Sequence, residues 1–135
     1  MSSPTVELTL PVMQDMELAA TKTAEVIAKR MDLDEEKTAE ISMALIEACI
    51  NAFEHSKAKD NIFIQYIIDP EKLIVKVGDK GIGFDDEVVA IPKIDEKLNS
   101  DHKRGWGLQL MKELMDTVEF QSSEDGTTVT MTKNR

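Results

Sequence analysis

Apolar and polar residues alternate through Val6-Glu7-Leu8-Thr9-Leu10, the two-residue period of a half-buried strand, and Pro11 ends the run. Over residues 14–30 the spacing turns helical, with Leu18, Val26 and Ile27 as apolar positions. Lys29 and Arg30 fall in its last turn, where cations suit the helix dipole. A second helix is expected to start with Asp32 as its cap and Glu35 three residues on, and to run to about residue 56. Two strands follow, residues 61–68 and 73–77, joined by Asp69-Pro70-Glu71-Lys72, a natural hairpin turn. Beyond a glycine-containing segment and a long polar stretch, a third helix opens near Gly105 and sets Leu108, Met111, Leu114 and Met115 on one side. Residues 118–121 and 127–132 read as a closing hairpin around Glu124-Asp125-Gly126. This order predicts an α+β fold, with helices on one face of a mixed, mostly antiparallel sheet.

The second helix carries the first chemical signal. Glu40, Glu47, Asn51 and Glu54 share a narrow arc, with His55 at its edge. Ile41, Leu45, Ile46, Ala48, Cys49, Ile50, Ala52 and Phe53 cover most of the remaining circumference, so the helix is expected to be mostly buried. The polar arc is then either a solvated stripe or a row in which Glu47 and Asn51, one turn apart, point into a polar cavity.

Glycine placement is the second signal. Five of the six glycines lie in two short segments, Gly78, Gly81 and Gly83, then Gly105 and Gly107. Glycine lets a backbone approach a phosphate or a base closely, and the second segment opens a helix, whose N-terminus attracts anions. Asp79 adds a parity observation. It shares a strand face with Leu73, Val75 and Val77, so its carboxylate should point inward and needs donors. Those donors are either the N–H groups of the Gly81–Gly83 turn or an exocyclic amine of a bound base. Thr127 shares parity with Val129 and Met131 and is expected to face the same cavity, whereas Thr128, Thr130 and Thr132 should face solvent.

Composition narrows the partners. The 135 residues suit one domain, 1–135, and 26 acidic against 16 basic residues give a net charge of −10. That sign repels phosphate backbones and anionic lipid, which argues against nucleic acid or membrane as a main partner. A single cysteine, Cys49, excludes an internal disulfide framework, and two histidines leave little for a zinc site. No stretch has the length of a membrane span and the first residues lack a signal-peptide pattern, so a cytoplasmic protein is expected.

Four segments together resemble a known family. Glu47-Ala48-Cys49-Ile50-Asn51-Ala52 looks like the N-box of the histidine-kinase-like ATPases, the superfamily of gyrase, the ninety-kilodalton heat-shock chaperone, sensor kinases and mismatch-repair ATPases. Asp79-Lys80-Gly81-Ile82-Gly83 resembles its Asp-x-Gly-x-Gly box, and Gly105-Trp106-Gly107-Leu108 its second glycine box. Asp125-Gly126-Thr127-Thr128-Val129 is similar to its terminal Gly-Thr strand. Within the superfamily, Asn-Ala-Phe-Glu-His after Glu47 and Gly-Leu-Gln-Leu-Met-Lys-Glu-Leu-Met-Asp after the lid are most similar to the anti-sigma factor serine kinases.

The resemblance implies a Bergerat-type two-layer sandwich with an ATP lid over about residues 84–104, closing on nucleotide and excluding water. It implies ATP and Mg²⁺ as cofactors. Asn51 would hold the metal, and Glu47 would be the general base for a serine hydroxyl. Asp79 would accept from the adenine amino group, with Gly81 and Gly83 admitting the base and Thr127 supporting the same edge. Gly105, Gly107 and Leu108, at the start of the third helix, would hold the β- and γ-phosphates. His55 would sit near the lid or the phosphates. Lys103 and Arg104 are the adjacent basic pair of the lid, and Arg104 is the expected γ-phosphate contact. Trp106 departs from the small, basic or aliphatic residue that many relatives carry there, and an indole cannot neutralise phosphate.

The implied function is an ATP-binding anti-sigma regulator with serine protein kinase activity. It would phosphorylate an anti-anti-sigma factor, sequester a sigma factor and form a homodimer through the sheet side. The alternative is a partner-switching module that binds nucleotide without transferring phosphate. A sensor histidine kinase fragment is disfavoured, because the two histidines, His55 and His102, fall in the second helix and the lid.

Overall fold

The computed structural model describes residues 3–55, 61–79, 109–123 and 126–135. The elements are β1 (Thr5–Leu10), α1 (Met16–Arg30), α2 (Glu35–His55), β2 (Ile62–Ile68), β3 (Lys72–Gly78), a helix α3 over residues 109–114, β4 (Thr117–Ser123) and β5 (Gly126–Asn134). The strands form one sheet in the order β1-β2-β3-β5-β4, and every pairing is antiparallel. The fold is the expected α+β sandwich, with its mostly antiparallel sheet antiparallel throughout the described pairs.

Strand parity decides what faces the helices. Leu10, Ile62, Ile64, Tyr66, Leu73, Val75, Val77, Phe120, Val129 and Met131 are buried in one core with α1, α2, Met111 of α3 and Met115 just after it. Thr128, Thr130 and Thr132 take the other face, half-buried rather than open to solvent. There Glu7, Gln65, Lys76, Thr130 and Glu119 line up in register across all five strands. The Gln65 amide donates to Glu7 at 3.1 Å.

The first helix corrects its expected apolar face. Val26 is 64% exposed and Leu18 is exposed too, whereas Ala20, Ala24, Ile27 and Ala28 are buried. Small side chains at positions 20, 24 and 28, one turn apart, let α1 lie close to its neighbours, and closeness here outweighs side-chain size. The Tyr66 hydroxyl donates to the Ala20 carbonyl at 2.7 Å and ties β2 to α1. Burial pushes that hydroxyl's pKa upward, and the neighbouring Cys49 adds to the shift.

The turn between the helices also differs from expectation. Asp32 does not cap α2; it has φ 58°, the left-handed position that ends α1. Its N–H donates to the Lys29 carbonyl at 3.1 Å and the Leu33 N–H to the Ala28 carbonyl at 3.0 Å, the paired bonds of a Schellman turn. The cap is Asp34, whose carboxylate accepts the Lys37 N–H at 2.8 Å. Because the turn consumes two residues, the capping aspartate is the second of the pair.

Along α2 the buried stripe is Ile41, Ala44, Leu45, Ala48, Cys49 and Ala52, the spacing of one helical face. It is narrower than the sequence implied, since Ile50 is 40% exposed. Glu40, Glu47 and Asn51, all half-buried, run along the border between this stripe and the open side. The helix packs over β2, β3 and β5.

Candidate functional site

The border row of α2 and the inward row of β5 form a seam with two different ends. At one end, Asn51, Ala48 and Ala52 of α2 meet Val77 of β3, Asp79, and Thr127 and Val129 of β5 around a small cavity of about 10 Å³. At the other, Glu40 of α2 meets Lys133 of β5. From Asn51 back to Glu40 the helix covers about 16 Å, and from Thr127 to Lys133 an extended strand covers about 20 Å.

Asp79 follows β3 directly and is 7% exposed. Its Oδ1 accepts the Thr127 N–H at 2.9 Å, while its own N–H donates to the Thr127 carbonyl at 3.3 Å. The sequence offered the Gly81–Gly83 turn or a ligand as donor, and the strand pairing supplies a third. Only knowledge that β3 pairs with β5 would have revealed it. Among the described residues this one bond uses a fraction of a carboxylate's acceptor capacity, about four lone-pair sites. The carboxylate lines a cavity whose other walls are Ala48, Ala52, Val77 and Val129, with Asn51 and Thr127 beside them. That combination suits a planar, apolar-faced group with an amine on its edge, such as a purine base.

Asn51 reaches the same cavity from the helix side, and its amide oxygen is a hard ligand of the kind magnesium takes. Glu47 is half-buried one turn earlier, and it is not among the cavity's lining residues. His55 is the last residue of α2. Gly81, Gly83, Lys103, Arg104, Gly105, Gly107 and Leu108, with Trp106 and the lid over about 84–104, lie outside the described residues. The structure therefore brings Asn51, Asp79 and Thr127 together and separates Glu40, at the far end of the seam, from the rest of its polar arc.

Cys49, on the core side of α2, takes no part in this cavity. Burial, and after it the Glu17 carboxylate, push its thiol up to about 12, so it stays a protonated, inert side chain at neutral pH.

A family model described as the histidine kinase-like ATPase domain matches residues 13–133. The chain belongs to that family. It is 31% identical over 137 residues to the serine-protein kinase RsbW of Bacillus pumilus, covering 95% of this chain and 84% of that protein. The match to these serine-protein kinases supports the same enzyme class for this histidine kinase-like ATPase. In fold it is similar to the RsbU and RsbW domains of Rv1364c from Mycobacterium tuberculosis, with a TM-score of 0.69 at 19% identity, over 97% of this chain and 32% of that longer one. It is also similar to the catalytic domain of histidine kinase ThkA, with a TM-score of 0.54 at 16% identity over 97% of both chains. The family is one of nucleotide-binding domains, and the acceptor that Asp79 presents is of the kind a purine amine would meet. Among the described residues no helix is long and apolar enough to cross a membrane.

Proposed function

We propose that this histidine kinase-like ATPase binds Mg-ATP in the cavity at the Asp79 end of the seam and transfers the γ-phosphoryl group to a serine of a small regulatory protein. The observation that carries the reading is the buried Asp79 carboxylate, which accepts the Thr127 N–H and lines the cavity that Asn51 and Thr127 share. Asp79 accepts from the adenine amino group, Thr127 supports that edge, and Gly81 and Gly83 admit the base. Asn51 ligates the magnesium ion, which when bound neutralises charge on the phosphates. Gly105, Gly107 and Leu108 hold the phosphate end, Arg104 with Lys103 offsets charge developing there, and His55 lies near it. Glu47 takes the serine hydroxyl proton as the serine oxygen forms its bond to the γ-phosphorus and the bond to the departing ADP breaks.

Likeness to serine-protein kinase RsbW along nearly the whole chain supports a protein substrate. The substrate we infer is an anti-anti-sigma factor and the sequestered partner a sigma factor, with a homodimer formed through the sheet side. Domain 1–135 acts as one unit under the lid.

Calorimetric titration with ATP, with and without Mg²⁺, on the wild type and Asn51→Ala tests the site. Magnesium-dependent binding that the substitution removes is the expected result, and no binding in either condition would overturn the reading. Labelled ATP with the candidate antagonist then tests transfer. Phosphoserine on the antagonist is expected; binding without phosphoserine would leave a partner-switching module in place of a kinase.

A further inference from the structure

α2 is apolar on two opposite faces, and the core uses one of them. Ile41, Ala44, Leu45, Ala48, Cys49 and Ala52 are buried in the core. Ala39, Met43, Ile46 and Ile50 share the opposite side, within an arc of about 60° on a helix of 3.6 residues per turn. Met43 is 48% exposed and Ile50 40%. Ala39 is exposed and Ile46 half-buried, and among the described residues none of the four joins the core or the side chains packed against it. A lone exposed apolar residue is ordinary; a continuous row of them along one helix marks a contact surface.

The spacing of that row describes its occupant. Positions 39, 43, 46 and 50 step by four, three and four, the seam that a second helix fills with its own side chains. An extended peptide would match a two-residue period instead. Beside the first half of the row, α1 and α2 border a groove of about 660 Å³, with Glu25 and Lys29 on the α1 wall, Leu33 in the turn between the helices, and Ala39 and Met43 on the α2 wall. From residue 39 to residue 50 the row runs about 17 Å, three turns of a docked helix.

Charge narrows the occupant further. α2 carries five glutamates against one lysine, Lys37. Glu40 is met by Lys133, whereas Glu36, which is exposed, and Glu47 flank the row on the edge away from α1. The α1 edge is mixed, with Lys29 and with Lys22 lying 3.8 Å from Glu25. A second copy would bring its own net charge of −10 to this acidic edge, and a lipid or nucleic-acid phosphate would be repelled in the same way. A helix with basic residues along one side meets complementary charge there.

We propose that the outer face of α2, with its groove against α1, is a docking surface for an amphipathic helix of a partner protein, apolar at heptad spacing and basic along the edge away from α1. The surface lies on the side of α2 turned away from the core, so the inference stands independently of what the Asp79 cavity binds.

The probe is a fluorescein-labelled peptide of about 18 residues, long enough to form a helix over the row. It has leucine at the a and d positions, lysine along one edge and glutamine along the other; a twin carries glutamate in place of lysine. Fluorescence anisotropy on the full chain should show binding of the lysine peptide and binding at least about tenfold weaker for the twin. Met43→Asp should weaken the lysine peptide about tenfold or more, the scale of losing an apolar anchor. Glu36→Lys should weaken it about threefold, as a rim charge does, whereas Glu71→Lys, the same change of net charge in the β2–β3 turn, should leave it unaltered. Should Met43→Asp fail to fold, Ile50→Asp reads the other end of the row, with the same loss expected. No binding of either peptide, equal binding of both, equal effects of the two lysine substitutions, or no effect at the row would overturn the docking surface. So would a fall in the chain's sedimentation mass on Met43→Asp without peptide, which would place a second copy on the row.

Discussion

The two ends of the α2–β5 seam each bury a charged side chain, and they treat it in opposite ways. At one end the Lys133 ammonium is met by a carboxylate and a carbonyl from two helices, so its charge is spent inside the protein. At the other, among the described residues, the Asp79 carboxylate has a neutral backbone N–H and a cavity beside it. An internally answered charge fixes geometry. A charge answered only in part, next to open space, is poised for a ligand. Burial alone does not distinguish them, since both residues are nearly inaccessible; the supply of partners does.

The largest expected effect lies between the two ends, at Glu47. Glu47→Gln should cut phosphoryl transfer by at least about 10²-fold, the scale of general-base loss, with ATP affinity preserved. Single-turnover phosphorylation beside calorimetry checks this, and transfer at the wild-type rate would remove Glu47 from the mechanism.

Next comes Asp79→Asn, which keeps an oxygen for the Thr127 N–H and loses the charge. ATP and adenosine should both weaken, roughly ten- to a hundredfold, as expected for a hydrogen bond of about 1.5–3 kcal/mol to a charged group. Urea unfolding should separate this variant from Lys133→Met. The asparagine should cost about 1 kcal/mol or less, since its backbone partner is retained. The methionine should cost about 1–3 kcal/mol, less than a fully buried broken pair because Glu40 is partly solvated. Equal costs would erase the contrast between the ends.

The smallest effect concerns the core between them. Cys49 rises from 9.0 to about 12, and the Tyr66 hydroxyl rises above its ordinary 10.0. Both groups stay protonated longer in the folded chain than in the unfolded one. Their contribution is therefore complete below pH 9 and should fade as pH climbs from about 9 towards 12. Urea midpoints across that range should fall steadily, and a flat profile would contradict the shifts.

Elements and their order were largely legible in the sequence, because strand alternation and helix spacing follow directly from backbone geometry. What escaped depended on neighbours distant along the chain. Parity turned Asp79 inward, but its donor comes from Thr127, 48 residues away, through the insertion of β5 between β3 and β4. Glu40 shares its wheel position with Glu47 and Asn51, and only the placement of Lys133 reveals that it belongs to the other end. The start of α2 was misread because Asp32 and Asp34 are the same residue type two positions apart, one suited to a left-handed turn and the other to a cap. The site residues of the second glycine segment stay as the sequence assigned them, by resemblance.

The alanine face of α1 reverses the usual ranking of which residues can change. At positions 20, 24 and 28 there is no room for a longer side chain, so an added methyl group there should be felt by the whole sandwich. Val26 and Leu18, which a hydrophobicity scale ranks far above alanine, have space around them and few obligations. In a saturation library, the alanines of α1 would be the restricted positions, and Val26 and Leu18 the permissive ones.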